Sequence, residues 1–144
     1  MDGRGIAAAL ILGAQAAQLG TAFLCCPESG IPASWKKRIQ QARDDDTRLT
    51  RAFSGKYARG IVNDFMEQMR PFEPEIPAYP IQNALTSDIR QAAVKQDRME
   101  FMSLWAGQGA PLSRPLPAAE LTKILADELR SVLPNVLRIC PTHQ

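Results

Sequence analysis

The first two dozen residues constrain the fold most, because they contain a helix with a defined start and stop. Asp2 precedes this helix as a candidate N-cap, since its carboxylate can accept hydrogen bonds from the free amides of the first turn. Residues 7–10 are three alanines and a leucine, which favour a helix strongly. Gly13 can adopt the left-handed conformation that ends a helix. The sequence therefore predicts a short helix that is complete before residue 14.

The segment after this helix is predicted to be a buried β-strand. Residues 14–19 are small and mostly apolar, too short and too alanine-rich for an antiparallel strand with one face in water. Strands of a parallel sheet, buried on both faces, carry such runs. Gly20 and Thr21 follow, before another helical turn at residues 22–24. Their backbone amides and the threonine hydroxyl can face an anion.

The Gly20-Thr21 turn has two interpretations. In an α/β barrel this arrangement occurs at the final strand, where the loops after the last two strands and a short helix bind a phosphate. The alternative is an ordinary helix–strand unit closed by a Gly-Thr turn, because single-glycine turns are common. The spacing alone leaves both interpretations open.

Four parts of the chain resemble the nitronate monooxygenase family, once called 2-nitropropane dioxygenases, and they occur in the family's order. They are GRGIAAAL (3–10) with residues 13–14 and QLGT (18–21), TRAFSGK (50–56) with ARG (58–60), PIQNAL (80–85), and LWAGQG (104–109). The resemblance extends over residues 2–133, and four segments together are far more specific than any one of them.

The resemblance implies a flavin-dependent (β/α)₈ TIM barrel that oxidises alkyl nitronates with dioxygen to a carbonyl compound and nitrite. In this family the FMN phosphate is held by the residues that match Gln18, Leu19, Gly20 and Thr21. By the same resemblance, Gln108 in the glycine-flanked loop 105–109 lies on the flavin side of the barrel mouth. The alternative for that loop is a glycine turn whose Trp105 fills the core.

The chain departs from the family pattern in ways that predict a C-terminal piece. Met1 stands where the family has a glycine-rich strand end that also grips the phosphate. The family's catalytic histidine lies upstream, so His143 does not correspond to it and no catalytic residue is assigned. A complete barrel takes about 250 residues, against 144 here. We expect residues 1–134 to be an incomplete, mostly helical α/β portion of a flavin-binding barrel, with the last barrel strand near residues 14–19 and an irregular tail at 135–144.

Two other functions stay open at this point. One is a flavin reductase of the same superfamily, of the enoyl-carrier-protein or quinone type, which would use NAD(P)H. The other is a non-catalytic barrel fragment, whose segment 14–19 would lack a neighbouring strand and present an edge prone to pairing. Flavin reduction by NAD(P)H without any nitronate would favour the reductase.

Composition restricts the classes of partner and the cellular compartment that we expect for this chain. The chain is 45% hydrophobic and 22% charged, which is typical of a globular protein. Its net charge of +2 gives no reason to expect nucleic acid or a membrane surface as a partner. Cys25 and Cys26 are adjacent and Cys140 is left over, which argues against a disulfide framework or a zinc site. We expect reduced thiols, a cytoplasmic location and no bound metal, while the oligomeric state is not predicted.

Two short motifs are assigned to plain surface. The acidic run 44–46 is predicted to be solvated, because no other oxygen ligands lie near it in the sequence. Ser54-Gly55-Lys56 lacks the glycine and the Ser/Thr of a phosphate loop, so a polar turn is predicted there.

Hydrophobic spacing and prolines predict the remaining elements. They are a helix at 33–43, an extended segment at 47–53, a helix at 60–69 stopped by Pro71, an apolar helical stripe at 81–93 with a fresh cap at 86–88, and a helix from 117 that ends at Pro134.

Overall fold

Two compact units make up the structure, a computed structural model that describes residues 2–139. Within these residues, unit 1 comprises 2–29 and 112–139, and unit 2 comprises 30–111. The helices are α1 (Gly3–Ile11), α2 (Thr21–Leu24), α3 (Ala33–Gln41), α4 (Asp64–Met69), α5 (Ile81–Leu85), α6 (Ser87–Lys95) and α7 (Ala118–Ile139), and the strands are β1 (Thr47–Thr50) and β2 (Ala58–Ile61). The piece is therefore α/β and mostly helical, as the sequence predicts.

Both ends of α1 form as predicted. The Asp2 carboxylate accepts from an amide of the first turn at 3.1 Å. At the other end Gly13 has φ +96°, and its amide donates to the Leu10 carbonyl while the Ala14 amide donates to Ala9, both at 3.0 Å. These two bonds form a Schellman motif, which satisfies carbonyls that the helix end leaves free.

The core of unit 1 lies where α2 meets α7, and α1 packs against α7. The buried members of this core are Ala22, Cys26, Leu121 and Leu125. Ile6, Leu19 and Phe23 pack against it as partly buried side chains. The helix predicted from residue 117 thus contributes Leu121 and Leu125 to this core.

The predicted strand at 14–19 is wrong for the structure that the described residues form. These six residues adopt neither helix nor strand, and the sheet of the described residues contains only β1 and β2. A strand exists only through backbone hydrogen bonds to a neighbouring segment. No described segment supplies that neighbour to residues 14–19.

Unit 2 is organised around an antiparallel pair. β1 and β2 pair with Thr47 opposite Ile61 and Thr50 opposite Ala58. An isolated bridge adds Trp105 beside Gly60. The buried core next to this pair consists of Ala52, Phe53, Phe65, Met66 and Ile76.

Helix boundaries in unit 2 correct one prediction and confirm another. The helix predicted from residue 60 begins only at Asp64, because residues 60 and 61 are paired in β2 and Asn63 caps the helix. The predicted break at 86–88 is confirmed, since α5 ends at Leu85 and α6 begins at Ser87, but no side chain caps the start of α6.

Pro134 does not end α7, which corrects the predicted stop. The helix continues to Ile139, so residues 135–139 are helical where an irregular tail was predicted, and residues 140–144 lie outside the described part. Proline removes one helical hydrogen bond and crowds the preceding turn, but this cost does not forbid a helix. The packing of the earlier turns of α7 against α1 and the core fixes the helix direction before the proline is reached. None of the helices described in 2–139 combines the length and apolar character needed to cross a bilayer.

Candidate functional site

Gly20 and Thr21 form the start of the single-turn helix α2. Gly20 is the N-cap residue, with φ −98° and ψ −67°, and its carbonyl accepts from the Phe23 amide at 3.0 Å. Gly20 is exposed and Thr21 is half-buried. A Cβ placed on Gly20 would meet no heavy atom of the described residues within 4 Å. The approach to this turn is therefore open.

The starts of α1 and α2 in unit 1 differ in their capping. At α1 the first amides already have carboxylate partners: the Gly3 amide donates to Glu128 Oε2 at 2.9 Å and the Gly5 amide to Asp2 Oδ1 at 3.1 Å. At α2 the N-cap is a glycine, and no side chain caps the turn. An anion at the start of α1 would compete with these two carboxylates, whereas neither of them caps the start of α2.

Glu128 is also held by an arginine. Arg114 Nη1 and Nη2 donate to its two carboxylate oxygens at 2.7 and 3.1 Å. The Arg114 bond, followed by the Gly3 amide, holds the pKa of Glu128 below its ordinary value. The same pairing raises the pKa of Arg114. The sequence did not predict this group, because residues 3, 114 and 128 carry no shared motif.

Gln18 and Leu19 line a groove of about 470 Å³ beside α1. Its walls are the α1 face with Ile6 and Ala9, and the segment 16–19. Gly20 and Thr21 are not among the residues that line it. The structure therefore brings Gln18 and Leu19 together in one concave surface and leaves residues 20–21 at the adjoining turn of the chain.

Gln108 lies in unit 2. Its side chain is exposed in a turn closed by a hydrogen bond from the Ala110 amide to the Gly107 carbonyl at 3.0 Å. Trp105 packs edge-on against Phe53, with ring centroids 5.3 Å apart. The core-filling interpretation of Trp105 is confirmed, and a flavin contact of Gln108 stays a prediction.

A second group that the sequence did not predict holds the turn at residues 51–55. Gln82 and Thr86 are buried polar residues. Gln82 Nε2 donates to the Ala52 carbonyl at 2.6 Å, and the Thr86 hydroxyl donates to the Phe53 carbonyl. The apolar stripe predicted at 81–93 gave no signal for this group, because Ile81 and Leu85 are exposed while the polar Gln82 and Thr86 are buried. Buried polar side chains need partners, so they mark places where a helix holds another backbone segment.

Asp46 and the adjacent cysteines Cys25 and Cys26 have structural explanations. Asp46 accepts from the Arg43 amide and from Arg38 Nη1, both at 3.1 Å, and its pKa is lowered first by that amide and then by Arg38. Cys25 and Cys26 are buried, unbridged thiols. Among residues 2–139 no group of three or more His, Cys, Asp or Glu could hold a metal ion. Cys140 and His143 lie outside the described residues.

The nitronate monooxygenase family model matches residues 1–128. Nitronate monooxygenase of Pseudomonas aeruginosa is 47% identical over 131 residues, covering 90% of this chain and 37% of that protein. A probable nitronate monooxygenase of Staphylococcus aureus strain Newman is 41% identical over 133 residues, covering 92% and 38%.

Solved structures give the same result. Nitroalkane oxidase from Streptomyces ansochromogenes superposes with a TM-score of 0.88 at 46% identity, covering 94% of this chain and 39% of that one. FabK from Thermotoga maritima superposes with a TM-score of 0.78 at 31% identity, covering 94% and 43%.

These matches cover nearly all of this chain but about two fifths of each relative. The family match covers well over half of the chain and includes both the start of α2 and the loop 105–109. The chain belongs to the nitronate monooxygenase family.

Proposed function

We propose that this chain is the phosphate-binding portion of an FMN-dependent oxidoreductase that converts alkyl nitronates and dioxygen to a carbonyl compound and nitrite. The observation that carries the proposal is the family match over residues 1–128, which includes an uncapped, exposed glycine at the start of α2. The reaction belongs to a protein of the relatives' full length, since these residues span 37–38% of the curated relatives.

The donors near the start of α2 suit a phosphate group. A phosphate dianion is bound by backbone amides at a helix start and by hydroxyl groups. Gly20 leaves the approach open because it has no side chain, and Thr21 adds a hydroxyl. The carboxylate capping of α1 supports the same choice, because an anion is disfavoured where Asp2 and Glu128 already lie.

Each predicted residue then has a distinct role. Gly20 and Thr21 hold the phosphate, and Gln18 orients the approach from the neighbouring groove. Leu19 packs on the core of unit 1 and fixes the start of α2. Gln108 supplies an amide that can both donate and accept a hydrogen bond on the flavin side. When bound, the flavin supplies the electron-accepting and oxygen-reacting chemistry, while the protein positions it.

The complete family fold is inferred to be a (β/α)₈ barrel. In that fold the open Gly20-Thr21 turn would lie at the face of the barrel where the carboxyl ends of the strands meet and phosphate groups bind.

A chimera tests this function. The segment of the Pseudomonas aeruginosa enzyme that matches this chain is replaced by the corresponding residues of this chain. We expect the purified chimera to contain FMN, seen by visible absorbance, and to release nitrite and consume oxygen when given an alkyl nitronate. A folded chimera without FMN would contradict the proposal. Oxidation of NAD(P)H without any nitronate turnover would instead favour the reductase alternative.

A pair of threonine variants tests the phosphate role in that chimera. Thr21→Val removes the hydroxyl at the start of α2 and should weaken FMN binding on the order of tenfold, the value of one hydrogen bond to a charged group. Thr122→Val is the matched control, because Thr122 is exposed on α7 and its hydroxyl donates to the Ala118 carbonyl. Equal FMN affinity in the two variants would show that the Thr21 hydroxyl does not bind the phosphate.

A further inference from the structure

The loop 105–109 is tied to strand β2 at its start. The Ile61 amide donates to the Leu104 carbonyl at 2.8 Å. The Ala106 amide donates to the Arg59 carbonyl at 3.2 Å. Leu104 and Ala106 are both buried. The strand therefore fixes the backbone on either side of the residue that opens the loop.

Gly60 allows the loop and the strand to approach this closely. It lies beside Trp105 in the isolated bridge. A Cβ on Gly60 would lie 3.0 Å from the Leu104 carbonyl oxygen and 3.1 Å from Trp105 Cε3. Both distances are shorter than ordinary van der Waals contact. A side chain at residue 60 would therefore move the start of the loop away from β2.

The Trp105 ring provides the second anchor of the loop. It packs edge-on against Phe53, which is 1% exposed. The Phe53 ring also stacks on Phe65, with 4.8 Å between the ring centroids. A buried ring in contact on two sides has little freedom to move. The position of Phe53 therefore decides where Trp105 lies.

The backbone of residues 52–53 is held by two buried polar side chains, Gln82 and Thr86. They donate to the two carbonyls of this segment, the Gln82 amide at 2.6 Å. Arg90 Nε in turn donates to the Thr86 oxygen at 3.1 Å. Because an arginine can only donate, this bond occupies a lone pair of the hydroxyl and leaves its hydrogen for the Phe53 carbonyl.

We propose that Gly60, Gln82 and Thr86 are positioning residues for Gln108. They act through the Trp105 ring and the loop backbone, so that the exposed Gln108 amide is presented in one orientation. The proposal rests on the proposed function, which assigns Gln108 to the flavin side. A polar group that is already held in place binds without first losing its conformational freedom, so a loose loop weakens that interaction.

Hydrogen exchange tests the anchoring of the loop without any reaction. In the chimera with the Pseudomonas aeruginosa enzyme, Gly60→Ala should speed exchange of the Ile61 and Ala106 amides at least about tenfold, because the added methyl group separates the loop from the strand. Gly30→Ala is the matched control, since a Cβ on Gly30 would meet no heavy atom of the described residues within 4 Å. Equal exchange in the two variants would overturn the proposal.

Two substitutions of Thr86 test its hydroxyl in the same chimera. Thr86→Val leaves the Phe53 carbonyl without this donor, whereas Thr86→Ser keeps it. We expect the valine variant to lower kcat/KM for an alkyl nitronate, per bound FMN, on the order of tenfold, the value of one hydrogen bond. The serine variant should behave as the parent chimera does. Less folded protein with an unchanged kcat/KM per bound FMN would show a purely structural role and overturn the proposal.

A double-mutant cycle tests whether Thr86 acts through Gln108. Once Gln108→Ala has lowered kcat/KM, adding Thr86→Val should lower it by less than about twofold more. Gly60→Ala takes the place of Thr86→Val if the valine variant does not fold. Additive losses would overturn the proposal. In a chimera that turns over no nitronate, faster exchange at Ala106 in both variants would support the positioning of the loop while contradicting the proposed function.

Discussion

At the scale of single residues, Gly3 shows how closely two helices of unit 1 approach. A Cβ on Gly3 would lie 2.4 Å from the Leu129 amide nitrogen and 2.5 Å from the Glu128 carbonyl carbon. Those atoms are backbone, so they cannot move aside as a flexible side chain can. The Gly3 amide also donates to the Glu128 carboxylate. One residue without a side chain thus allows both the contact and the hydrogen bond.

Gly3→Ala is expected to lower the free energy of unfolding by about 2 kcal/mol or more, because an added methyl group strains the packed helices. Gly5→Ala is the matched control. A Cβ there would have as its nearest neighbour the Asp2 Oδ1 atom at 3.9 Å, so the better helix propensity of alanine should stabilise by about 0.5–1 kcal/mol. Urea unfolding followed by circular dichroism measures the free energy of unfolding of both variants. Equal changes in the two variants would show that the close contact at Gly3 does not limit stability.

Glu128 predicts a pH dependence of stability. Its pKa in the folded chain is held below the ordinary 4.5, mainly by Arg114, so its ionised form stabilises the fold. This stabilisation is complete above pH 4.5 and is lost as the pH falls through the lowered pKa. Glu128→Gln should therefore cost about 1 kcal/mol at pH 7, a modest value because the pair is partly exposed.

Unfolding measured at a series of pH values tests this direction. The difference in the free energy of unfolding between the parent chain and Glu128→Gln should be constant from pH 5.5 to 8 and should shrink below pH 4.5. Glu75→Gln is the control, because Glu75 is exposed and has no ion pair within residues 2–139. A difference that grows on acidification would contradict the assigned direction.

At the scale of elements, Asn63 joins a helix to a neighbouring turn. Its Oδ1 accepts from the Met66 amide at 3.2 Å and caps α4. Its Nδ2 donates to the carbonyls of Met99 and Met102 at 2.9 and 2.8 Å. The start of α4 is therefore fixed both by a local cap and by a segment 36 residues away. Only the cap is visible in the local sequence.

Asn63→Asp separates the two functions of this side chain. The carboxylate still caps α4 but faces two carbonyls without a donor, so we expect a loss of about 2 kcal/mol in the free energy of unfolding. Asn83→Asp is the matched control, because Asn83 Oδ1 accepts from Arg90 and a carboxylate keeps that bond. Tryptophan fluorescence during urea unfolding reports on unit 2, which contains Trp35 and Trp105. A near-neutral Asn63→Asp would show that only the cap matters.

At the scale of the whole molecule, each unit has its own apolar core, but unit 1 also presents an unpaired edge. The core of unit 2 packs α4 against Ala52 and Phe53, Ile76 and the 3₁₀ segment Met99–Phe101. In unit 1, residues 14–19 have no strand neighbour among the described residues. The chain matches its relatives along almost its entire length, yet it spans about two fifths of theirs.

We therefore expect the purified 144-residue chain to be colourless and to show no nitronate-dependent oxygen uptake. A phosphate turn alone provides a few hydrogen bonds, whereas cofactor sites bury most of the ligand surface. Visible absorbance and an oxygen electrode measure both properties. FMN purifying with the chain at one per molecule would contradict this expectation.

Local residue types are sufficient to predict the features whose hydrogen bonds close within a few residues. The Asp2 cap, the Gly13 helix end and the break between α5 and α6 depend on neighbours three to five positions away, so local residue types suffice to predict them. The family segments were recognisable for the same reason, because each is short and continuous.

Contacts between distant residues could not be predicted in this way, because they depend on how the whole chain folds. Gly3 and Glu128 are 125 positions apart, and no local pattern links a helix start to that carboxylate. Residues 14–19 have the composition of a strand, but without a neighbour in the described residues they form none. A cap forms within its own turn of the chain. A strand or an ion pair between distant residues forms only when the fold brings a second segment next to the first.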